Sequence, residues 1–322
     1  MVYTRPPCVT MKFSMMPHIM DLHQAILTSD MEMVCKLSKS GLDLGTPVRG
    51  TTALSLTVYH QNLEAMKILL QAGAPVDRRS KDHLERIETP LITSIRLGYE
   101  PIFIELVNRG ARLDLCDFFN QTPLWFAVKE QRLSFVRTLL KSGAPINFTM
   151  ATENPLNIAM QFLGYRGRRE MALELVAAGI PLIHEDYRGR SPLFYTMKYE
   201  DIDFFRLLVE AGVALKNYEW LASSSISSRW SQNSDILEWI REEQKSPSPL
   251  KRQCRSFIYK HLRETHNRDV RPLIRALTLT SSIPLPPLIL KYLLMENLLA
   301  SVISCVHDDT NLLSASPPSY LL

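Results

Sequence analysis

An all-α solenoid of stacked helical pairs, followed by a separate helical module, is the fold the sequence predicts, on three observations. A leucine after a small-polar or Thr-Pro start recurs at Leu54, Leu91, Leu124, Leu156 and Leu193, at intervals of 37, 33, 32 and 37 by subtraction. A glycine closing each pair recurs at Gly41, Gly73, Gly110, Gly143, Gly179 and Gly212, spaced 32, 37, 33, 36 and 33. The pattern then frays after Leu215, and a different helical pattern starts at Pro249. Two independent landmarks keeping one period mark a stacked repeat.

The clearest unit spans residues 120–147. Thr122 is a good N-cap and Pro123 suits the first helical position, where no backbone donor is needed. Lys129, Glu130, Gln131 and Arg132 break the first helix; the second carries Phe135, Val136, Leu139 and Leu140 and stops at Gly143. Two helices this short cannot bury their apolar faces alone, so the unit requires neighbours.

Those neighbours follow in order. Residues 1–20, interrupted by Pro6, Pro7 and Pro17, read as a flexible leader without a signal-peptide run. The first pair places Leu22, Ala25 and Ile26 against Met33, Val34 and Leu37, and lacks the Thr-Pro start, as an end repeat does. The second starts at Thr51, Thr52 and Ala53. Before the third lies a polar, highly charged finger, residues 78–86, which reads either as a partner-contacting loop or as a tolerated insertion, the latter preferred. Phe118 and Phe119 precede the fourth unit. In the fifth, Gly164, Tyr165, Arg166, Gly167, Arg168 and Arg169 lengthen the inter-helix turn with positive charge, which reads as a solvated face. Asp186, Tyr187, Arg188 and Gly189 form the tip of the sixth. Ile236, Leu237, Trp239 and Ile240 read as the second helix of a degenerate last unit, after a serine-rich loop.

The spacing and the words Thr89-Pro90-Leu91, Thr122-Pro123-Leu124, Asn154-Pro155-Leu156, Ser191-Pro192-Leu193 and Leu69-Leu70-Gln71-Ala72-Gly73-Ala74 resemble the ankyrin repeat over roughly residues 20 to 217. The copies are degenerate: Asn120 stands at the usual turn glycine, and none has the full Thr-Pro-Leu-His. The resemblance implies short β-hairpin-like tips and places Phe118 and Phe119 at one of them. They could contact a partner or pack on neighbouring tips.

Composition narrows the function. A net charge of +4 lacks the concentrated basic face of a nucleic-acid binder. Five scattered cysteines, Cys8, Cys35, Cys116, Cys254 and Cys305, show no CxxC or Cys/His pairing, which fits a reducing compartment and predicts neither a disulfide scaffold nor a metal site. No phosphate loop or Ser/His/Asp order appears, so no catalytic residue and no cofactor are expected. A cytoplasmic protein, with nuclear presence, is the expectation.

The second module is bounded near residue 246. Leu250, Cys254, Ile258 and Leu262 recur every fourth position as a slowly drifting apolar stripe, with Lys251, Arg252, Arg255 and Lys260 on the other sides. Cys254 in that stripe reads as a small structural thiol filling a pocket. Further on come Ile283, Pro284, Leu285 and Pro286, then Ile289, Tyr292 and Leu293. The segment 283–304 is apolar but broken by Pro284, Pro286, Pro287, Lys291, Glu296 and Asn297, short of the ~20 residues of a membrane span. The two motifs in this order resemble the SOCS box, so the chain is similar to ankyrin-repeat and SOCS-box proteins. Ile283 departs from the usual leucine, and residues 278–282 lengthen the approach to the turn.

The resemblance implies a flexible leader (1–20), an ankyrin solenoid of about six to seven units (21–245), a three-helix SOCS box (246–296) and a disordered tail (297–322). It implies a non-catalytic substrate receptor of a ubiquitin ligase, with Leu250, Cys254, Ile258 and Leu262 binding elongin C with elongin B. Ile283, Pro284, Leu285, Pro286, Ile289, Tyr292 and Leu293 would bind cullin-5 with its RING-box protein. An unidentified protein substrate would meet Phe118, Phe119, Lys129, Tyr187, Arg188 and Tyr199. Pro317, Pro318, Ser319 and Tyr320 match a WW-domain ligand. The alternative is a plain ankyrin scaffold or inhibitor whose C-terminal helices cap the stack. No nucleic acid or membrane partner is expected.

Overall fold

Each helical pair forms because its start and its two turns are satisfied locally. In the computed structural model the described residues are 16–81, 85–146, 148, 154–164, 167–182, 185–186, 188–215, 230, 234–245, 249–280, 287–296 and 299. They fall into two compact units, residues 1–123 and 124–322. The division lies inside the repeat region, not at the change of sequence pattern near residue 246.

The first unit holds α1 (Met16–Leu27), α2 (Met31–Ser38), α3 (Ala53–Tyr59), α4 (Leu63–Gln71), α5 (Pro90–Leu97) and α6 (Glu100–Asn108). Side-chain oxygens of Asp30, Thr52, Asn62 and Thr89 accept the third N–H of their helices, at 3.0 to 3.3 Å. First helices pack on first helices (α1 on α3, α3 on α5) and second on second (α2 on α4, α4 on α6). The finger is a hairpin: β1 (Ser80–Lys81) pairs antiparallel with β2 (Ile87–Glu88), Ser80 opposite Glu88. It is not wholly solvated, because Ser80 and Glu88 are buried and the Glu88 carboxylate takes Arg96 at 2.7 Å.

The second unit contains α7 (Pro123–Lys129, whose first residue closes the first unit), α8 (Leu133–Lys141), α9 (Pro155–Gln161), α10 (Arg168–Ala178), α11 (Pro192–Lys198) and α12 (Ile202–Glu210). Next come α13 (Ser234–Lys245), α14 (Leu250–His266), α15 (Val270–Thr280) and α16 (Pro287–Leu293). All five landmark leucines are buried. In α13, Ile236 and Ile240 face inward, and Trp239 joins Phe205 and the buried Trp230 in an edge-to-face aromatic group.

A third periodic landmark, shared by every pair but the fifth, uses glycine only once. The turn inside these pairs has a left-handed residue at Ser29, Gln61, Gly98, Gln131 and Glu200, and the next N–H reaches five residues back. The second helices end the same way: Ala74, Ala111, Ala144, Ile180 and Val213, after their glycines, donate to Leu69, Leu106, Leu139, Leu175 and Leu208. These are Schellman closures, which satisfy the last helical carbonyls without solvent.

Candidate functional site

Helix α14 has two unlike faces, and the inward one is mostly arginine and tyrosine. Arg252, Arg255, Tyr259 and Leu262 are spaced three, four and three apart, one side of a helix, and all are buried. Arg252 donates to Glu243 at 2.7 Å and to Glu210 at 2.6 Å. Burial alone would lower its pKa, but the two carboxylates outweigh that and raise it. Arg255, 1% exposed, stacks over the Tyr292 ring at 4.6 Å. Tyr259 donates its hydroxyl to the Leu293 carbonyl at 2.7 Å, and burial pushes its pKa up. A polar face is tolerated inside because nearly every charge meets a carboxylate, a carbonyl or a ring.

The same helix crosses the ends of two repeats, and the residues just past it reach a third. Ser256 sits over Gly212, Tyr259 and Val270 over Gly179, and Arg268 approaches Gly143. Arg263 donates to the Gly179 carbonyl at 2.9 Å, and the Asn267 side-chain oxygen accepts the Ile146 N–H at 3.2 Å. From Ser256 to Arg263 is seven residues, or roughly 10 Å of helix at 1.5 Å per residue. Two repeat-closing glycines, Gly179 and Gly212, are therefore landing points where a Cβ would collide with α14 or α15. On α15, Arg271 ties Asp269 and Glu174, and Glu174 also takes Arg137 from α8 at 2.7 Å. Burial would raise the Glu174 pKa, but those two arginines hold it below the usual value.

The outward face carries the sequence-predicted contacts. Leu250 is 74% exposed, Cys254 is exposed and Ile258 half-buried. Phe257, also exposed, stacks flat on His261 with centroids 6.3 Å apart. The single stripe is corrected: Leu262 faces inward, because four-residue steps drift by about 40° each and carry it round the helix. Arg252 and Arg255, expected on the solvent sides, are the buried ones. Cys254 fills no internal pocket.

Of the second motif, Ile283, Pro284, Leu285 and Pro286 lie outside the described residues. Ile289 is exposed, beside Leu288. Tyr292 and Leu293 turn inward, onto Arg255 and Tyr259. They hold α16 to α14, so the reading of these two as free contact residues is corrected.

The expected substrate residues are spread over both units. In the first, Phe118 and Phe119 are 83% and 73% exposed, which decides for outward display over packing on neighbouring tips. In the second, Lys129 lies over the Trp125 ring at 5.2 Å, and Arg188 is an exposed tip residue whose N–H is held by Asp186. Tyr187 lies outside the described residues, as do residues 1–15 and the WW-type motif at 317–320. Tyr199 is corrected to a strut: half-buried, it lies across Gly164 and donates to the Gln161 carbonyl at 2.6 Å. In the lengthened turn Arg166 lies outside the described residues, while Arg168 and Arg169 bond to the protein itself. Arg168 is buried and donates to the Val128 and Lys129 carbonyls, capping α7, and burial lowers its pKa to about 10. Arg169 pairs with Asp201 at 2.6 Å.

Among the described residues no cluster of His, Cys, Asp or Glu could hold a metal ion, and no helix is long and apolar enough to cross a membrane.

The comparisons agree with the repeat geometry. Residues 22–117 match a family model of three ankyrin repeats and residues 119–150 a further ankyrin repeat. An ankyrin repeat protein of fowlpox virus, FPV022, is 30% identical over 118 residues, covering 28% of this chain and 20% of the viral protein. The ankyrin repeat and KH domain-containing protein mask-1 of Caenorhabditis elegans is 27% identical over 194 residues, 52% of this chain and 7% of that protein. The chain thus spans a fifth or less of these curated relatives. An ankyrin repeat domain from Acinetobacter baumannii superposes with a TM-score of 0.53 at 25% identity, over 60% of this chain and 97% of that one. The ankyrin repeat protein EF0377, at 18% identity and a TM-score of 0.51 over 59% of this chain and 97% of that one, shares the fold. The chain carries ankyrin repeats, in a helix-rich solenoid fold. Such repeats generally bind protein partners.

Proposed function

We propose that this protein is a non-catalytic substrate receptor of an elongin B/C–cullin-5–RING ubiquitin ligase, its repeats holding a target and its C-terminal helices docking the ligase core. The observation that supports this most is the outward face of α14, where Leu250, Cys254 and Phe257 stand in solvent while the opposite face is anchored. A helix that only capped the stack would need its inward face alone. An uncovered apolar row at helical spacing fits a groove on another protein. Leu250, Cys254 and Ile258 are the residues that enter elongin C in this reading. Ile283, Pro284, Leu285, Pro286 and Ile289 face cullin-5, and Tyr292 and Leu293 hold their helix in place. The chemistry occurs on a ubiquitin-loaded enzyme elsewhere in the assembly, and the receptor contributes proximity. The cytoplasm, with nuclear presence, is the compartment this role requires. A WW-domain protein at Pro317, Pro318, Ser319 and Tyr320 is a secondary partner.

The second reading, a scaffold without ligase role, draws on the seating of α14 across Gly179 and Gly212, which closes the repeats whether or not anything binds outside. Co-expression with elongin B/C separates the two. A receptor copurifies with them stoichiometrically, whereas a capped scaffold does not.

A further inference from the structure

The two phenylalanines most exposed on the first unit do not stand on a slack loop. Asp117 Oδ1 accepts the N–H groups of Phe119 and Gln121 at 2.9 and 2.8 Å, and the Asp117 N–H returns to the Gln121 carbonyl. Asn120 takes the left-handed conformation that closes this turn. The backbone is thus satisfied within five residues, and the rings of Phe118 and Phe119 are held outward, edge to face, 5.5 Å apart. Exposing two large rings on a pre-built turn forgoes their burial and leaves an anchor whose ordering is already complete.

The neighbouring tips join this turn by contact. The Arg79 guanidinium donates to the Cys116 carbonyl at 2.6 Å, so the β1–β2 hairpin abuts the phenylalanine turn. On the hairpin's other side, the Lys81 N–H bonds the Gly50 carbonyl at 2.8 Å, bringing in the tip that carries Arg49. Along this row the acids among the described residues are spent locally. Asp117 serves the turn, Asp114 is held by Arg112, Glu85 by Lys81 and Glu88 by Arg96, while Asp77 accepts the Arg112 N–H. Not all of the cations are. Among the described residues Arg49 and Arg78 are exposed with no carboxylate bound, and Arg79 reaches only a carbonyl. The tip row therefore joins surplus positive charge to two aromatic anchors.

We propose that this row, Arg49, Arg78, Arg79, Phe118 and Phe119, binds an acidic segment of a partner protein that also carries an apolar side chain. Carboxylates of the segment pair with the arginine forks, and its apolar side chain packs on the phenylalanine rings. A nucleic acid would also supply negative charge. Three cations without a carboxylate among the described residues give too few phosphate contacts to bind one well at physiological salt, and the whole chain carries only +4. The assignment rests on the repeats being the partner-holding part in the proposed function, and it does not depend on what α14 docks.

The test uses the full chain, immobilised, and a displayed library of random dodecapeptides as the probe. The enriched peptides should be net acidic with at least one large apolar residue. Their retention should fall about tenfold or more for Phe118→Ala with Phe119→Ala, and likewise for Arg49→Glu alone, the loss of one hot-spot contact. Added salt should weaken binding to the parent chain more than to the Arg49→Glu chain. Enrichment of neutral or basic peptides, no enrichment, or equal retention by the substituted chains overturns the proposal. So does a single-stranded oligonucleotide that displaces the peptides and depends on the same residues. Elongin C copurification is followed in the same variants. Its persistence while peptide binding is lost separates this site from the docking of α14, and its absence from the parent chain would contradict the ligase reading alone.

Discussion

The Oγ of Ser256 fills the place that a Cβ on residue 212 would occupy, so α14 rests on the bare backbone of Gly212. Gly212 has φ +115, and Gly73, the equivalent closing residue in the first unit, has φ +89 with nothing within 4 Å of a Cβ. Gly73→Ala should therefore cost only the backbone strain, about 1–2 kcal/mol. Gly212→Ala should cost clearly more, because Ser256 must also move, and Ser256→Ala should recover part of the excess. Urea unfolding of the two single variants and the double variant measures this. Equal costs at the two glycines would mean that α14 is not seated there.

Arg252 holds two acids from different elements, Glu210 of α12 and Glu243 of α13. Arg252→Ala leaves both carboxylates facing each other with little water. The expected destabilisation is about 3 kcal/mol, the low end for a broken buried pair because each acid keeps some solvent. Arg252→Lys should recover less than half, since an ammonium cannot match the guanidinium fork. Thermal unfolding of the second unit is the readout.

Tyr199 separates a strut from a contact residue. Tyr199→Phe removes its bond to the Gln161 carbonyl and should cost about 1 kcal/mol, and Tyr199→Ala, which also uncovers Gly164, should cost more. A surface anchor would show neither loss.

The repeats were legible in the sequence because their signals are local: Thr52, Thr89 and Ser191 cap helices from one position away, and leucines and glycines keep the period. The turns at Gln61, Gln131 and Glu200 were not, because a left-handed residue without glycine has no composition to read. The inward face of α14 was missed for another reason. Arg252 and Arg255 look like solvated charge until their acids are known, and Glu210 lies 42 residues away. The spacing of Arg252, Arg255, Tyr259 and Leu262 along one side of a helix was the available clue. Phe118 and Phe119 were identifiable as tip residues, but only the turn built by Asp117 shows which way they point.

His23 gives the first unit a pH dependence. It is buried in α1 with no partner for Nε2 among the described residues, and burial lowers its pKa below the ordinary 6.5. As pH falls, the unfolded chain takes up the proton before the folded one does. Stability of this unit is therefore full above pH 6.5 and declines as pH drops through the lower folded value. Hydrogen exchange of α1 and α2 between neutral and mildly acidic pH should show the decline, and His23→Leu should flatten it.

The central claim is that the outward face of α14 is a docking surface for elongin C, and one measurement addresses it directly. Leu250 and Cys254 are exposed, so Leu250→Asp with Cys254→Asp should leave the melting temperature nearly unchanged. The same double variant, coexpressed with elongin B/C and passed over a sizing column, should lose the complex that the parent chain forms. Retention of a stoichiometric complex by the variant, or its absence with the parent chain, would contradict the account.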